Sequence, residues 1–371
     1  MRRHAGHAAR NLKIGEEGWG GGDGWIGEEG WGGGNGMGPR VARSVGCAAM
    51  EQRAVGRSGL VVSRLGLGTA TWGRDTDPDD AAAQLVAFRE AGGTLLDVGP
   101  WYVCEQTEPL VGRLLQDVVP RDELVLAVKS GGPVAPGAAV RGASRGGLLT
   151  ALDNTLLRLG VDSVDLWQLH GWDERVPMEE VLSAVDTAVT SGRARYAGVS
   201  NLPGWRTAAA AAWQRAWPGR APLAATQVEY SLLERGVERE VLPASGWAGL
   251  GVLAYSPLGR GVLTGKYRHG VPSDSRAASP HLRDFVGHHL TDESARIVEA
   301  VATAAEGLGT SPLAVALAWV RDRPGVSSSV LGARTVGQLS GSLAADATVL
   351  PAEIRAALDD VSAPPAGYPE R

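Results

Sequence analysis

The chain has 371 residues, a formal net charge of -5, 44% hydrophobic and 21% charged residues, proportions ordinary for a soluble globular protein. That length suits one large barrel-type domain or two smaller ones, and the absence of a basic excess argues against nucleic acid or an anionic membrane as partner. No apolar stretch approaches the roughly 20 residues that span a bilayer, and no apolar segment follows Arg2-Arg3 to make an export signal. Cys47 and Cys104 are the only cysteines and stand in no metal-ligand spacing, which predicts neither a disulfide framework nor a metal site and suits the cytoplasm.

The chain opens on a glycine-dominated tail in which residues 15–22 (GEEGWGGG) recur as residues 27–34. Such a segment has too little apolar side chain to offset its ordering entropy, so residues 1–49 are expected to be disordered. Gly22, Gly24 and Gly27 spell GxGxxG, but no strand precedes them and no helix follows, so the match is chance. A biological start at Met50, with residues 1–49 an over-long gene reading, is the simplest account of the tail.

From Met50 the pattern changes. QRAVG and LVVS, within 52–63, predict a hairpin across the bottom of a barrel. Short apolar runs then recur as strand candidates at 64–69, 94–98, 124–129, 164–170, 195–200, 224–229, 251–255 and 326–332. Helical stretches with legible starts lie between them. Asp77-Pro78-Asp79-Asp80 offers a capping carboxylate, a proline at the first helical position and acids in the first turn. Ser311-Pro312 repeats the cap and proline, and Pro203 opens the helix after Asn201. Eight strand–helix units predict a closed (β/α)8 TIM barrel over residues 50–371. The alternative, an open doubly wound sheet, would need a phosphate-binding glycine turn after its first strand, which LGLGTATWG does not supply.

Four residues follow apolar runs where the chain would leave a strand: Asp97 and Tyr102 in LLDVGPWY, Lys129 in LVLAVKSGG, and His170 in LWQLHGWD. In a barrel these ends converge on one mouth. A free tyrosine has a pKa near 10, too high for an efficient acid at neutral pH. A lysine ammonium lowers it, a carboxylate holds the lysine charged, and an imidazole orients a substrate oxygen as negative charge builds there. That equipment suits carbonyl reduction, with the proton from Tyr102 and the hydride from a nicotinamide cofactor.

These residues carry a resemblance. RSGLVVSRLGLGT, DVGPWYVCEQTEPLVG with Glu108 and Gly112, QLHGWD, GVSNL, QVEYSLLER, YSPLGRGVLTGKY and VLGARTVGQL together resemble the aldo-keto reductase family over residues 50–362. The resemblance implies a (β/α)8 barrel, NADP(H), reversible reduction of an aldehyde or ketone, and Asp97, Tyr102, Lys129 and His170 as the catalytic tetrad. It implies that Ser200, Asn201 and Gln227 hold the carboxamide, with Tyr230 nearby, and that Tyr255 stacks on the nicotinamide. Ser256, Leu258, Gly259, Gly261 and Lys266 would wrap the phosphates, and Gly332, Arg334, Gln338 and Ser342 would meet the adenosine end. Lys266 and Arg334 favour NADPH over NADH.

Two stretches depart from the family pattern: Val98-Gly99-Pro100 with Val103 around the tyrosine, and Gly341-Ser342 where adenine is commonly held by Glu and Asn. Trp72, Trp101 and Trp172 follow strands one, two and four and are expected either to wall a substrate pocket or to pack under the loops. The polar stretch 268–290 reads as a loop over the cofactor or as a surface insertion. The partner expected is a small carbonyl compound. The alternative function is a non-enzymatic NADPH sensor or regulatory subunit, because the potassium-channel β subunits are similar barrels that keep the tetrad.

Overall fold

The computed structural model describes residues 50–99, 104–131, 142–365 and 367. The glycine-rich tail with its tryptophans, and Trp101 and Tyr102, lie outside them. A hairpin comes first, β1 (Gln52–Ala54) pairing antiparallel with β2 (Val61–Ser63). Eight parallel strands follow: β3 (Leu65–Gly68), β4 (Leu95–Asp97), β5 (Val125–Ser130), β6 (Val164–Leu169), β7 (Ala194–Ser200), β8 (Leu223–Glu229), β9 (Gly251–Tyr255) and β10 (Val326–Gly332). They close in sequence order, with β10 pairing β3. Each strand expected from the sequence is present within a residue or two of its expected ends, and the hairpin is where its apolar residues placed it.

The strands are buried on both faces, which explains their near-continuous apolar runs. The inner face carries Leu95, Ala127, Leu166, Ala225, Leu253 and Val330, and Val55, Leu60 and Val62 of the hairpin region plug this core from below. The outer face carries Trp167 and Leu169 among others, packed beneath the helices. These include α1 (Pro78–Glu90), α2 (Thr107–Asp117), α3 (Arg145–Leu159), α4 (Met178–Thr190) and α5 (Gly204–Arg215). Later come α6 (Val241–Ala248), α7 (Arg283–Gly287), α8 (Asp292–Gly307), α9 (Pro312–Arg321), α10 (Val336–Ala344) and α11 (Ala352–Val361).

The caps are those the sequence announces. Asp77 Oδ1 accepts from the Asp80 amide at 2.8 Å and Ser311 Oγ from the Ala314 amide at 3.2 Å, each followed by proline. Glu108 and Gly112 knit α2 to α3. Buried Glu108 accepts from Thr155 at 2.9 Å and from Arg158 at 2.5 Å. A Cβ at Gly112 would sit 2.8 Å from the Leu159 carbonyl oxygen, so any larger residue would force the helices apart. No single helix among the described residues is long and apolar enough to cross a membrane.

Candidate active site

Barrel geometry delivers the strand-end residues to one place. Asp97 is the last residue of β4, Lys129 is next to last in β5, and His170 follows β6 directly. Lys129 Nζ donates to Asp97 Oδ1 at 2.5 Å, and Gln227 Nε2, from β8, donates to the same oxygen at 3.1 Å. Asp97 is 8% and Lys129 7% exposed; charges this buried persist only as a hydrogen-bonded pair. The His170 amide donates to the Ser130 carbonyl at 2.8 Å. Burial pushes its imidazole pKa down, with Asp97 opposing in part, so the ring is neutral at neutral pH and keeps one N–H to donate.

Asn201 and Ser256 sit just past β7 and β9 with φ of 58° and 52°, the left-handed region that costs a non-glycine residue energy and clusters at functional sites. Asn201 Nδ2 donates to the His170 carbonyl at 3.1 Å, and Tyr255 Oη donates to Asn201 Oδ1 at 3.0 Å. Asn201 thereby ties three strand ends together. Burial, then Glu229, pushes the Tyr255 phenol up to about 12, which leaves it a donor and an apolar ring face, not an acid.

A cavity of about 710 Å³ runs away from Asp97, Lys129 and His170, past Ser200, Gln227 and Tyr255, to a cationic end. There the Lys266 amine lies 3.1 Å from where a Cβ on Gly261 would be, and the Arg276 guanidinium 3.5 Å from one on Gly332. Glycine at both positions keeps the cations' approach open. Arg334 completes the group and donates to the Asp274 carbonyl. Burial, then Arg276 and Arg334, lowers the Lys266 pKa; burial and then Arg334 lower that of Arg276. Among the described residues neither Lys266 nor Arg276 has an acidic hydrogen-bond partner. At the other end Ser200 Oγ is buried without a hydrogen-bond partner among the described residues. A polar donor–acceptor near Asp97, Lys129 and His170, and cations at the far end without an acidic partner among the described residues, fit a ligand with an amide at one end and phosphate at the other.

Of the remaining cofactor residues expected from sequence, Ser256, Leu258, Gln338 and Ser342 also line this cavity. Gln338 Oε1 accepts from the Arg334 amide at 3.0 Å, and Ser342 Oγ donates to the Gln338 carbonyl at 3.1 Å. Gly259 shapes the turn instead, at φ 54°. Tyr230 faces away, its hydroxyl donating to Glu238 at 2.7 Å. Of the two loop tryptophans among the described residues, neither lines this cavity, and both pack as the second expectation had it. Trp72 is fully buried with its indole N–H given to Gln84 of α1 at 3.1 Å, so it supports the loop from beneath. Trp172 is half-buried under Arg206, whose guanidinium lies 5.5 Å from its ring, and it too is off the cavity lining.

Sequence reasoning missed Arg276, which has no periodic pattern around it to mark it. The stretch containing it is no surface insertion: Arg276, His281, Leu282 and Phe285 form one wall of the cavity. It is fastened at two points. His281 Nε2 meets Asp75, in the loop after β3, at 2.8 Å. At the other end Arg260 pairs with Glu229 at 2.5 Å, and His289 Nε2 lies 3.3 Å from the same carboxylate. Burial pushes the Glu229 carboxyl up, but the His289 and Arg260 hydrogen bonds outweigh it and leave the pKa low.

A model of the Aldo/keto reductase family matches residues 64–363. An uncharacterized oxidoreductase of Bacillus subtilis, YrpG, is 35% identical over 86% of this chain and 98% of its own length. L-glyceraldehyde 3-phosphate reductase of Escherichia coli is 34% identical over 80% of this chain and 87% of its own. A probable voltage-gated potassium channel subunit beta of Oryza sativa is also 34% identical, over 87% and 98%.

Proposed function

The chain belongs to the aldo/keto reductase family, whose chemistry is NADP(H)-dependent oxidation and reduction at carbonyl and alcohol groups, and on that footing we propose that it reduces an aldehyde or ketone to the alcohol. The observation that carries the reading is the single cavity joining the Asp97–Lys129–His170 cluster to the unpaired cations Lys266 and Arg276. Bound NADPH would supply the hydride. Ser200, Asn201 and Gln227 would hold its carboxamide, and Tyr255 would back the ring. Lys266, Arg276 and Arg334 would take the 2′-phosphate, whose double charge matches cations that an NADH hydroxyl would leave unpaired.

Tyr102, five residues beyond Asp97 in the chain, gives the proton. Lys129, kept charged by Asp97, lowers the phenol pKa by favouring phenolate. Neutral His170 donates its N–H to the substrate oxygen as charge develops there. The carbonyl carbon gains the hydride, the oxygen gains the Tyr102 proton, and the phenolate left behind is reprotonated from solvent. The similarity to a potassium channel β subunit favours one second reading, a cofactor sensor; repeated turnover separates the two.

The test is Tyr102→Phe. It should bind NADPH as the parent does, read by tryptophan fluorescence, and lose nearly all NADPH consumption with 4-nitrobenzaldehyde. Undiminished turnover removes Tyr102 from the role of proton donor.

A further inference from the structure

Gln168 stands directly beneath the site and takes no part in the chemistry above. It lies two residues after Leu166, which belongs to the inner barrel core, so its side chain points to the barrel axis. It is completely buried, and neither Oε1 nor Nε2 has a hydrogen-bond partner among the described residues. In the ladder it is the Cα partner of Lys129 on one side and of Gly198 on the other. A Cβ at Gly198 would lie 2.9 Å from the Ala225 carbonyl oxygen and 3.3 Å from Gln168 Cγ, so only glycine fits against the Gln168 side chain there. Ala127 and Ala225 keep the neighbouring inner positions small as well.

A primary amide buried with nothing to bond is worse than an apolar side chain of the same length. Buried polar groups that lack protein partners are met by internal water, which needs two to four polar neighbours. The Lys129 ammonium can be one of them. It carries three protons, and the only acceptor it has among the described residues is Asp97.

We propose that Gln168 is a positioning residue for the acid–base pair: ordered water between β5, β6 and β7 accepts a hydrogen bond from the Lys129 ammonium and donates one to Gln168 Oε1. Gln168 thereby holds in place a second acceptor for the lysine, the water, and the ammonium so fixed keeps the Tyr102 pKa low. This rests on the catalytic reading given above. The Asp97–Lys129 pair alone would leave the ammonium free to swing about one contact; the water fixes a second direction.

The experiment replaces Gln168 with Met, of similar length and without polar atoms, in the full chain. It follows NADP+-dependent oxidation of benzyl alcohol against pH, together with NADPH affinity and melting temperature. Oxidation needs the Tyr102 phenolate, so its rate rises through the Tyr102 pKa. The rising limb should move up by about half to one pH unit, slowing oxidation about 3- to 10-fold below the limb, with NADPH affinity unchanged. A dry amide would give the opposite pattern, a raised melting temperature and an unmoved limb. An unmoved limb overturns the inference whatever the melting temperature. Gln168→Leu reads the same limb should the Met variant not fold. Parent protein that binds NADPH yet turns over neither benzyl alcohol nor 4-nitrobenzaldehyde overturns the catalytic reading, and this inference with it.

Discussion

Replacing Arg276 with Met should separate NADPH from NADH. The guanidinium sits over Gly332 at the cationic end of the cavity, with Arg334 and Lys266 as neighbours and no acid bonded to it among the described residues. In the free protein it is therefore a charge crowded by like charges. Facing a 2′-phosphate it would form charge-assisted hydrogen bonds, worth about 1.5–3 kcal/mol. At about 1.36 kcal/mol per tenfold, the loss is about 10- to 150-fold in NADPH affinity. NADH has no phosphate there and should bind as before. Removing one of three mutually repelling cations should also hold or raise the melting temperature of the free protein, so stability and affinity move in opposite directions. Fluorescence titration with both cofactors, alongside thermal unfolding, reads all three quantities. Equal weakening of NADPH and NADH would refute the reasoning, because Arg276 would then act on a part the two cofactors share.

Lys266 makes NADPH binding pH-dependent. Burial and the cations Arg276 and Arg334 hold its pKa below the ordinary lysine value in the free protein, and a phosphate dianion beside it raises that value. Binding therefore takes up protons between the two, and affinity should fall as pH rises through the free-protein pKa. Titrations from neutral to alkaline pH should show this for NADPH, and Lys266→Gln should abolish it. Asp97→Ala leaves Lys129 buried without its counter-charge and should cost about 3–5 kcal/mol in urea unfolding, most of it recovered in the Asp97→Ala/Lys129→Met double variant. Simple additivity of the two changes would show that the ion pair is not what holds either charge in place.

The strand order of the barrel was readable because each strand is a short apolar run bounded by turn and cap residues, as Leu95–Asp97 and Val164–Leu169 illustrate. The convergence of Asp97, Lys129 and His170 followed from that order alone, since strand ends in a parallel barrel share one rim. Trp72 and Trp172 stand four and three residues past the ends of β3 and β6, yet neither lines the cavity. The direction a loop aromatic takes depends on which partner it finds, here Gln84 for one and Arg206 for the other. Sequence adjacency carries no record of that choice.

By itself, then, the sequence determined the alternation of strands and helices, the hairpin plug and the strand ends that carry Asp97, Lys129 and His170, because periodicity, caps and turns act over a few residues. Tertiary structure decided where Arg276 and Gln168 stand. Arg276 reaches the cavity only because His281 and Glu229 fasten its segment across the mouth. Gln168 is marked only by its burial and by an amide unmet among the described residues, both of which exist once the barrel closes around it. Both effects arise between residues far apart in the chain, and the hydrogen bonds and desolvation that express them have no counterpart in local sequence.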